Sequence, residues 1–378
     1  MNRRLGIAVI GAGWMGRVHS EAYRRLAGLL PLPGVDVELR WVVDREPHLC
    51  RDLAERYGFG RFTTDWTEPL RDPEVSVLDV CLPNAYHREA VLGAVSERKH
   101  VLCEKPLGKD PRESEEMYRA AQEAGICHQT AFNYRRVPAL AFARELIAGG
   151  ELGELREFRG QFLQDFAADP GVPASWRFAS SVAGAGSLAT LGSHLLDLTR
   201  WLMGEVTAIA GASQTFIAER PVEDGRPVRV DVDDTSCLVA RFAGRAIGLL
   251  QTSWVAHGRR CQLEVEVHGS RGSLVFSLER MNELQFCEGD GPSTRKGFRT
   301  IHVGQSHPYG GVFELKTGMN LGWRDTFVLQ AHEFLKAVLE GRPATPSFYD
   351  GWQVDRLIAV AAEAGRGDGW VSVPPVPT

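Results

Sequence analysis

Residues 5–16, LGIAVIGAGWMG, constrain this chain more than any other stretch. Ile7, Ala8, Val9 and Ile10 form a short apolar run of the kind that fills a buried strand. Gly11, Gly13 and Gly16 follow as G-x-G-x-x-G, and over residues 17–30 Val18, Ala22, Leu26 and Leu29 recur at helical spacing. Strand, glycine turn and helix in that order are the context the pattern requires. Gly11 permits the tight turn, Gly13 lets the backbone approach a pyrophosphate, and Gly16 lets the helix pack close to the strand. The N–H groups of the helix start, around Trp14 and Met15, then face the phosphates with the help of the helix dipole. Residues 37–43 read as the next strand, ending in Asp44, whose carboxylate can accept hydrogen bonds from an adenosine ribose and repel a 2′-phosphate. The spacer from Gly16 exceeds the usual ~20 residues, and an enlarged turn at Pro31-Leu32-Pro33-Gly34 accounts for the excess. The expected cofactor is NAD; Arg45, next to the acid, can meet a 2′-phosphate and keeps NADP open. The bland alternative is a glycine turn of another α/β protein with Asp44 as a solvated strand end.

A chain of 378 residues suits two domains rather than one core. The expected division is 1–130, dinucleotide-binding, and 131–378, substrate-binding and oligomerising. In the first part, strands at 61–64, 75–82, 100–104 and 126–132 alternate with helices at 47–57, 87–96 and 111–124, which implies crossovers and a parallel sheet. Beyond it, alternating strands dominate: 156–166, 205–216, 234–242, 246–255 and a hairpin from 261–268 into 274–278. Helices are expected at 137–148, 192–203, 325–340 and 350–364. The segment 288–320, rich in Gly, Ser and Pro, suits a mobile loop near the site or an oligomer contact, and the tail 374–378 should be loose. A one-sided sheet in the second domain invites a homodimer or homotetramer.

Several function classes are set aside. No run approaches the ~20 apolar residues of a membrane span. The cofactor strand follows residues 1–4 at once, so a cleaved leader there would destroy the fold. A net charge of −5 without a basic stripe argues against nucleic acid. The seven cysteines are scattered without C-x-x-C, which predicts a reducing, cytoplasmic setting with no disulfide frame and no metal site.

In a doubly wound sheet the ligand lies beyond the carboxyl ends of the strands. Three such ends are chemically marked: the glycine turn, Cys81-Leu82-Pro83-Asn84 with His87 one turn later, and Glu104-Lys105-Pro106. Pro106 pushes Lys105 into an extended conformation. A lysine beside a nicotinamide pocket can hydrogen-bond a reacting hydroxyl, with its pKa lowered by the cofactor's positive charge and partial burial; alone, it reads as a solvated partner of Glu104. A fourth segment combines Trp176-Arg177-Phe178 with the small residues of 184–193, which let a helix start come close to something, and with His194 near that start. A histidine there can take an alcohol proton as a hydride leaves, or be a satisfied core residue. Asp197 at i+3 can orient it or be a structural acid.

The glycine turn, Cys-Leu-Pro-Asn-x-x-His at 81–87, Glu-Lys-Pro at 104–106, Phe-Asn-Tyr-Arg at 132–135 and Gly-Ser-His-Leu-Leu-Asp at 192–197 stand in the order and spacing of the glucose–fructose oxidoreductase / inositol dehydrogenase (Gfo/Idh/MocA) family, which the chain resembles over nearly its whole length. The resemblance implies an α/β protein with an N-terminal Rossmann dinucleotide-binding domain, followed by a C-terminal α+β domain with an open, predominantly antiparallel sheet. It implies NAD(P)-dependent hydride transfer to or from a sugar or polyol, with Lys105 and His194 catalytic. Leu82, Pro83, Asn84 and His87 would line the dinucleotide, joined by Glu104; Tyr134, Arg135, Trp176 and Arg177 would face the cofactor–substrate cleft, and Thr190 the substrate.

One departure stands out: family dehydrogenases usually carry Asp four residues before the histidine, and this chain has Thr190. Threonine cannot serve as a carboxylate base. The relay then runs through Lys105 and His194 alone, or Asp197 or Asp165 substitutes, or activity is weak or redirected. Two alternatives to a dehydrogenase follow: glycoside cleavage through transient oxidation, and a dinucleotide-binding sensor.

Overall fold

The computed structural model describes residues 3–290 and 292–376. The chain divides into two compact units, the first of residues up to Arg136 together with Gly322–Gln353, the second of Val137–Leu321 and the residues from Val354 onward.

The first unit is built on a six-stranded parallel sheet ordered β3-β2-β1-β4-β5-β6. Its strands are β1 (Arg3–Ile10), β2 (Val35–Val43), β3 (Arg61–Thr63), β4 (Val75–Val80), β5 (His100–Cys103) and β6 (His128–Thr130). The intervening helices are α1 (Trp14–Leu29), α2 (Pro47–Tyr57), α3 (Glu68–Arg71), α4 (His87–Ser96) and α5 (Pro111–Ala124). This is the doubly wound order whose switch point lies between β1 and β4. Residues 5–10 of β1 are all buried, as a strand covered on both faces requires. The core joins Ile10, Val43, Leu78, Val80, Val101 and Cys103 of the strands to Ala90, Val91, Met117 and Ala121 of the helices. Helix boundaries follow local chemistry: the Asp110 side chain accepts from the Arg112 and Glu113 N–H groups, Pro111 opens α5, and Gly125 closes it at φ 65°. The turn at 31–34 closes with Val35 N–H donating to the Leu32 carbonyl.

The second unit opens with α6 (Pro138–Ala148) and carries a nine-stranded sheet, β16-β15-β14-β13-β7-β12-β11-β8-β17. Its members are β7 (Leu155–Leu163), β8 (Val206–Gln214), β11 (Thr235–Phe242), β12 (Ile247–Ser253), β13 (Gln262–Gly269), β14 (Gly272–Ser277), β15 (Glu283–Glu288), β16 (Arg299–His302) and β17 (Val371–Ser372). Among the described residues only the β7–β12 pairing of this sheet is parallel. Short α7 (Ser180–Ala183) precedes a single π turn, Leu188–Gly192, that runs into α8 (Ser193–Met203). Strand burial alternates strictly along β11, so one sheet face is wet.

The structure differs from the sequence expectation in four places. The hairpin β9 (Glu219–Pro221) and β10 (Pro227–Arg229) has too few residues to display a period. Within 288–320, Arg299–His302 pairs with β15 as an edge strand, and Val303 and Leu315 are buried, so the segment has folded anchors. In the tail, Val373 N–H bonds to Thr207 and β17 pairs with β8 just before the expected loose stretch, of which Pro377 and Thr378 lie outside the described residues. The division is also not a single cut: α9 (Asp325–Glu340) and the start of α10 (Phe348–Ala364) belong with the first unit. Helix α9 packs on α1, with Arg25 paired to Asp325 and Arg324 to Glu21, contacts distant in sequence that no local pattern announces.

Candidate functional site

In the first unit the carboxyl ends of the strands are stitched together by main-chain bonds: Gly11 N–H to the Val43 carbonyl at 2.7 Å, Cys81 N–H to Ile10 at 2.7 Å, and Glu104 N–H to Val80 at 2.9 Å. Gly11 sits at φ 107°, where a side chain would be strained and would meet the Cys81 carbonyl. A Cβ on Gly16 would strike the carbonyl oxygen of Gly11, so the helix can approach the turn only without one. Gly13 is different. It is exposed, and a Cβ there would meet no protein atom within 4 Å. The start of α1 has no side-chain cap and no acidic residue in its first turn. Its unsatisfied N–H groups therefore face an open space beside Gly13, the cradle a pyrophosphate requires.

Asp44 is fixed at the end of β2: one carboxylate oxygen accepts from Ala12 N–H at 2.7 Å and the other from Glu46 N–H at 3.1 Å. Each oxygen retains a free lone pair for a ribose hydroxyl. The Arg45 side chain is highly exposed and pairs with Glu46 at 3.6 Å. Trp14 is 59% exposed, with the Arg324 guanidinium 5.5 Å above its ring; Met15 is half-buried.

The other two marked ends rest on buried side chains. Leu82 and Pro83 are partly exposed, and Asn84 is buried at the following turn. His87, fully buried, faces the Leu82 carbonyl through Nε2 (2.8 Å) and the Pro106 and Leu107 carbonyls through Nδ1 (3.1 Å each). Burial pushes its pKa down against the pull of these carbonyls. His87 thus braces the two strand-end loops at Leu82 and Pro106–Leu107. Glu104 is also buried; its carboxylate accepts the Lys105 N–H at 3.0 Å, and the Lys105–Pro106 peptide is cis. Lys105 itself is half-buried.

Beneath Glu104 lies a group that pattern reasoning missed. His19 of α1 bonds to Asp79 through Nδ1 at 2.9 Å and to Glu104 through Nε2 at 3.1 Å, and the Tyr23 hydroxyl donates to Asp79 at 2.9 Å. Burial alone would lower the His19 pKa, but the adjacent Asp79 and Cys81 raise it well above its ordinary value. His19 falls three residues after Gly16 on the buried face of α1, so spacing gave a signal, though one shared with any core residue.

Tyr134 and Arg135 are buried in the first unit. The Trp323 Nε1–H donates to the Tyr134 hydroxyl at 3.3 Å, and Arg135 pairs with Asp350 at 3.0 Å. These two thus take part in the packing of α10 and of the turn that leads into α9.

In the second unit, Thr190 lies half-buried in the π turn and His194, 8% exposed, is the second residue of α8, its ring 6.1 Å from that of Phe162. The small residues of 184–188 come close to Asp233, just before β11. Its carboxylate accepts from Gly186 N–H (2.8 Å), Leu188 N–H (2.9 Å) and the Ser187 hydroxyl (2.6 Å), and a Cβ on Gly186 would strike the Asp233 backbone. Burial raises the Asp233 pKa against these bonds. π turns of this kind recur at functional sites. Trp176 and Arg177 are half-buried, with the guanidinium 4.5 Å over the indole. Asp165 is engaged with Gly258 N–H and Arg260, both at 3.2 Å, and Asp197 is buried on α8.

A parallel doubly wound sheet, an uncapped helix start over an open glycine and an anchored acid at the end of β2 are the marks of a dinucleotide-binding domain. Family comparison agrees: residues 5–132 match the oxidoreductase family with an NAD-binding Rossmann fold, and residues 140–275 match the GFO/IDH/MocA C-terminal domain. The chain belongs to the Gfo/Idh/MocA family and is an NAD-dependent oxidoreductase of the sugar and polyol class. It is 38% identical to the levoglucosan dehydrogenase of Pseudarthrobacter phenanthrenivorans over 99% of each chain, and 26% identical to the myo-inositol 2-dehydrogenase of Thermotoga maritima over 94% and 95%. A solved levoglucosan dehydrogenase in complex with NADH and levoglucosan is similar at a TM-score of 0.95 and 39% identity, covering 99% of this chain and 100% of that one. An oxidoreductase domain protein from Kribbella flavida gives the same TM-score at 36% identity, with the same coverage.

Proposed function

We propose that this protein oxidises levoglucosan or a closely related sugar with NAD, using Lys105 and His194 at the reacting hydroxyl. The supporting observation is similarity at near-complete coverage to an enzyme of that name, in a chain that has a lysine at 105 and a histidine at 194. The residues of the cradle fit the dinucleotide: the α1 N–H groups beside Gly13 for the pyrophosphate and Asp44 for the ribose. When bound, NAD supplies the hydride acceptor. Asp44 and an Arg45 already paired with Glu46 favour NAD over NADP. Lys105, its backbone fixed by Glu104, hydrogen-bonds the substrate hydroxyl through its amine, and His194 takes the proton as the carbonyl forms. Thr190 offers a hydroxyl in place of the usual carboxylate and orients the sugar. Trp176 and Arg177 contribute to the sugar pocket.

The wet face of the second sheet, where Ile247 is 56% and Leu249 50% exposed, supports a homodimer or homotetramer. Among the described residues no helix is long and apolar enough to cross a membrane; seven free cysteines fit the reducing cytoplasm. A panel of anhydrosugars, monosaccharides and polyols, each offered NAD and NADP, tests the reading. NADH should form fastest with levoglucosan or a near relative. Reduction with none of them, or equal use of NADP, would overturn it.

A further inference from the structure

We propose that His19 is a positioning residue for the reaction: it ties helix α1 to Glu104, shares that carboxylate with Lys105, and so sets the pH at which the Lys105 amine can act. The inference rests on the catalytic reading of Lys105 above. The arrangement that carries it is buried and local to the first unit. The His19 ring bridges Asp79, at the end of β4, and Glu104, just beyond β5, through its two nitrogens. Glu104 in turn holds the Lys105 N–H with its second oxygen, at 3.0 Å. One carboxylate thus connects the helix behind the glycine turn to the residue whose amine meets the substrate hydroxyl.

The surrounding charges fix the sign. Facing His19 are Asp79 and Cys81 from the β4 end, Glu104 from the β5 end and Tyr23 from its own helix; α9 contributes the Phe327 ring at 5.4 Å. The charged residues at the α1–α9 contact, Glu21, Arg25, Arg324 and Asp325, pair with one another. Facing Glu104 are His19, Lys105, His87 and Cys81. The burial of Glu104 opposes its ionisation, but the His19 bond and charge, with Lys105, keep its pKa below the usual value. A cationic His19 takes up part of the Glu104 charge. Without it, that charge acts on Lys105 alone and stabilises the ammonium, so the neutral amine appears only at higher pH. The three side chains His19, Asp79 and Cys81 also offer ligand atoms within 4.8 Å of one another, but His19 and Asp79 already bond to each other directly.

The test measures the reactivity of Lys105 towards an amine-acylating reagent across pH, read by peptide mass spectrometry, together with the pH profile of kcat. His19→Gln should shift both midpoints upward by about one pH unit, a tenfold smaller neutral fraction below them. Glu104→Gln, which removes the carboxylate charge, should shift them downward. A folded His19→Gln protein with wild-type midpoints would overturn the inference. If that variant does not fold, an unshifted Glu104→Gln midpoint overturns it instead. Since the labelling needs no turnover, a shift in labelling without any sugar oxidation would refute the catalytic reading of Lys105 and leave the coupling to His19 standing.

Discussion

The two units support the residues proposed to be reactive, Lys105 and His194, by opposite means. In the first, Lys105 stands on a buried ionic group in which His19 lies between Asp79 and Glu104. In the second, the approach to His194 is held by a half-buried carboxylate, Asp233, whose partners are two main-chain N–H groups and the hydroxyls of Ser187 and Ser236. The ionic scaffold carries a charge that can tune a neighbouring amine. The main-chain scaffold fixes geometry and leaves charge to the reacting ring. The contrast suggests a division of labour in which the cofactor-binding unit governs proton affinity and the other governs shape.

The largest effect that would break this contrast lies at the reactive residues. Lys105→Ala and His194→Ala should each lower kcat by about 10²–10⁴-fold while leaving NADH affinity near wild type. Full turnover in either, measured by nicotinamide reduction, would remove that unit from the chemistry. Next comes the carboxylate under the π turn. Asp233→Ala leaves buried donors without an acceptor and should cost about 3 kcal/mol in denaturant unfolding. The same change should raise KM for the sugar more than it alters any pH midpoint.

A smaller, pH-dependent effect sharpens the contrast within the first unit. Burial pushes the His128 pKa down to about 4, and its Nδ1 accepts the Phe348 N–H at 3.1 Å, which requires the neutral ring. The unfolded chain takes up that proton near pH 6.5. Stability should therefore fall as pH drops from 6.5 towards 4, by up to ~3 kcal/mol, and His128→Asn should flatten that slope. His19 has the opposite sign. Its raised pKa adds stability that is complete below pH 6.5 and is lost as pH climbs through the folded value. The smallest effect belongs to Thr190: loss of one neutral hydrogen bond in Thr190→Ala should slow kcat/KM about 2–10-fold.

Much of the first unit was legible because its signals are local. A glycine turn between an apolar run and a periodic helix marks a strand–turn–helix unit, and the bounds of α2 and α5 follow from Pro, Gly and capping residues. The alternating strands of the second sheet were equally plain in β11 and β13. What stayed hidden depends on residues far apart in the chain. Asp233 lies 46 positions from the Ser187 hydroxyl it accepts, and His19 lies 85 from Glu104. The return of α9 to the first unit has no sequence mark, since a helix with one apolar face can cover either sheet. The small residues of 184–193 were read as letting a helix start come close to something, and at Gly186 the neighbour is the Asp233 backbone.

A crystal structure with NADH and levoglucosan tests the central claim most directly. The account predicts the pyrophosphate on the α1 N–H groups beside Gly13, a ribose hydroxyl on Asp44, and the sugar hydroxyl in reach of both the Lys105 amine and the His194 ring. A dinucleotide bound away from residues 11–16, or a sugar touching only one of those two side chains, would contradict it.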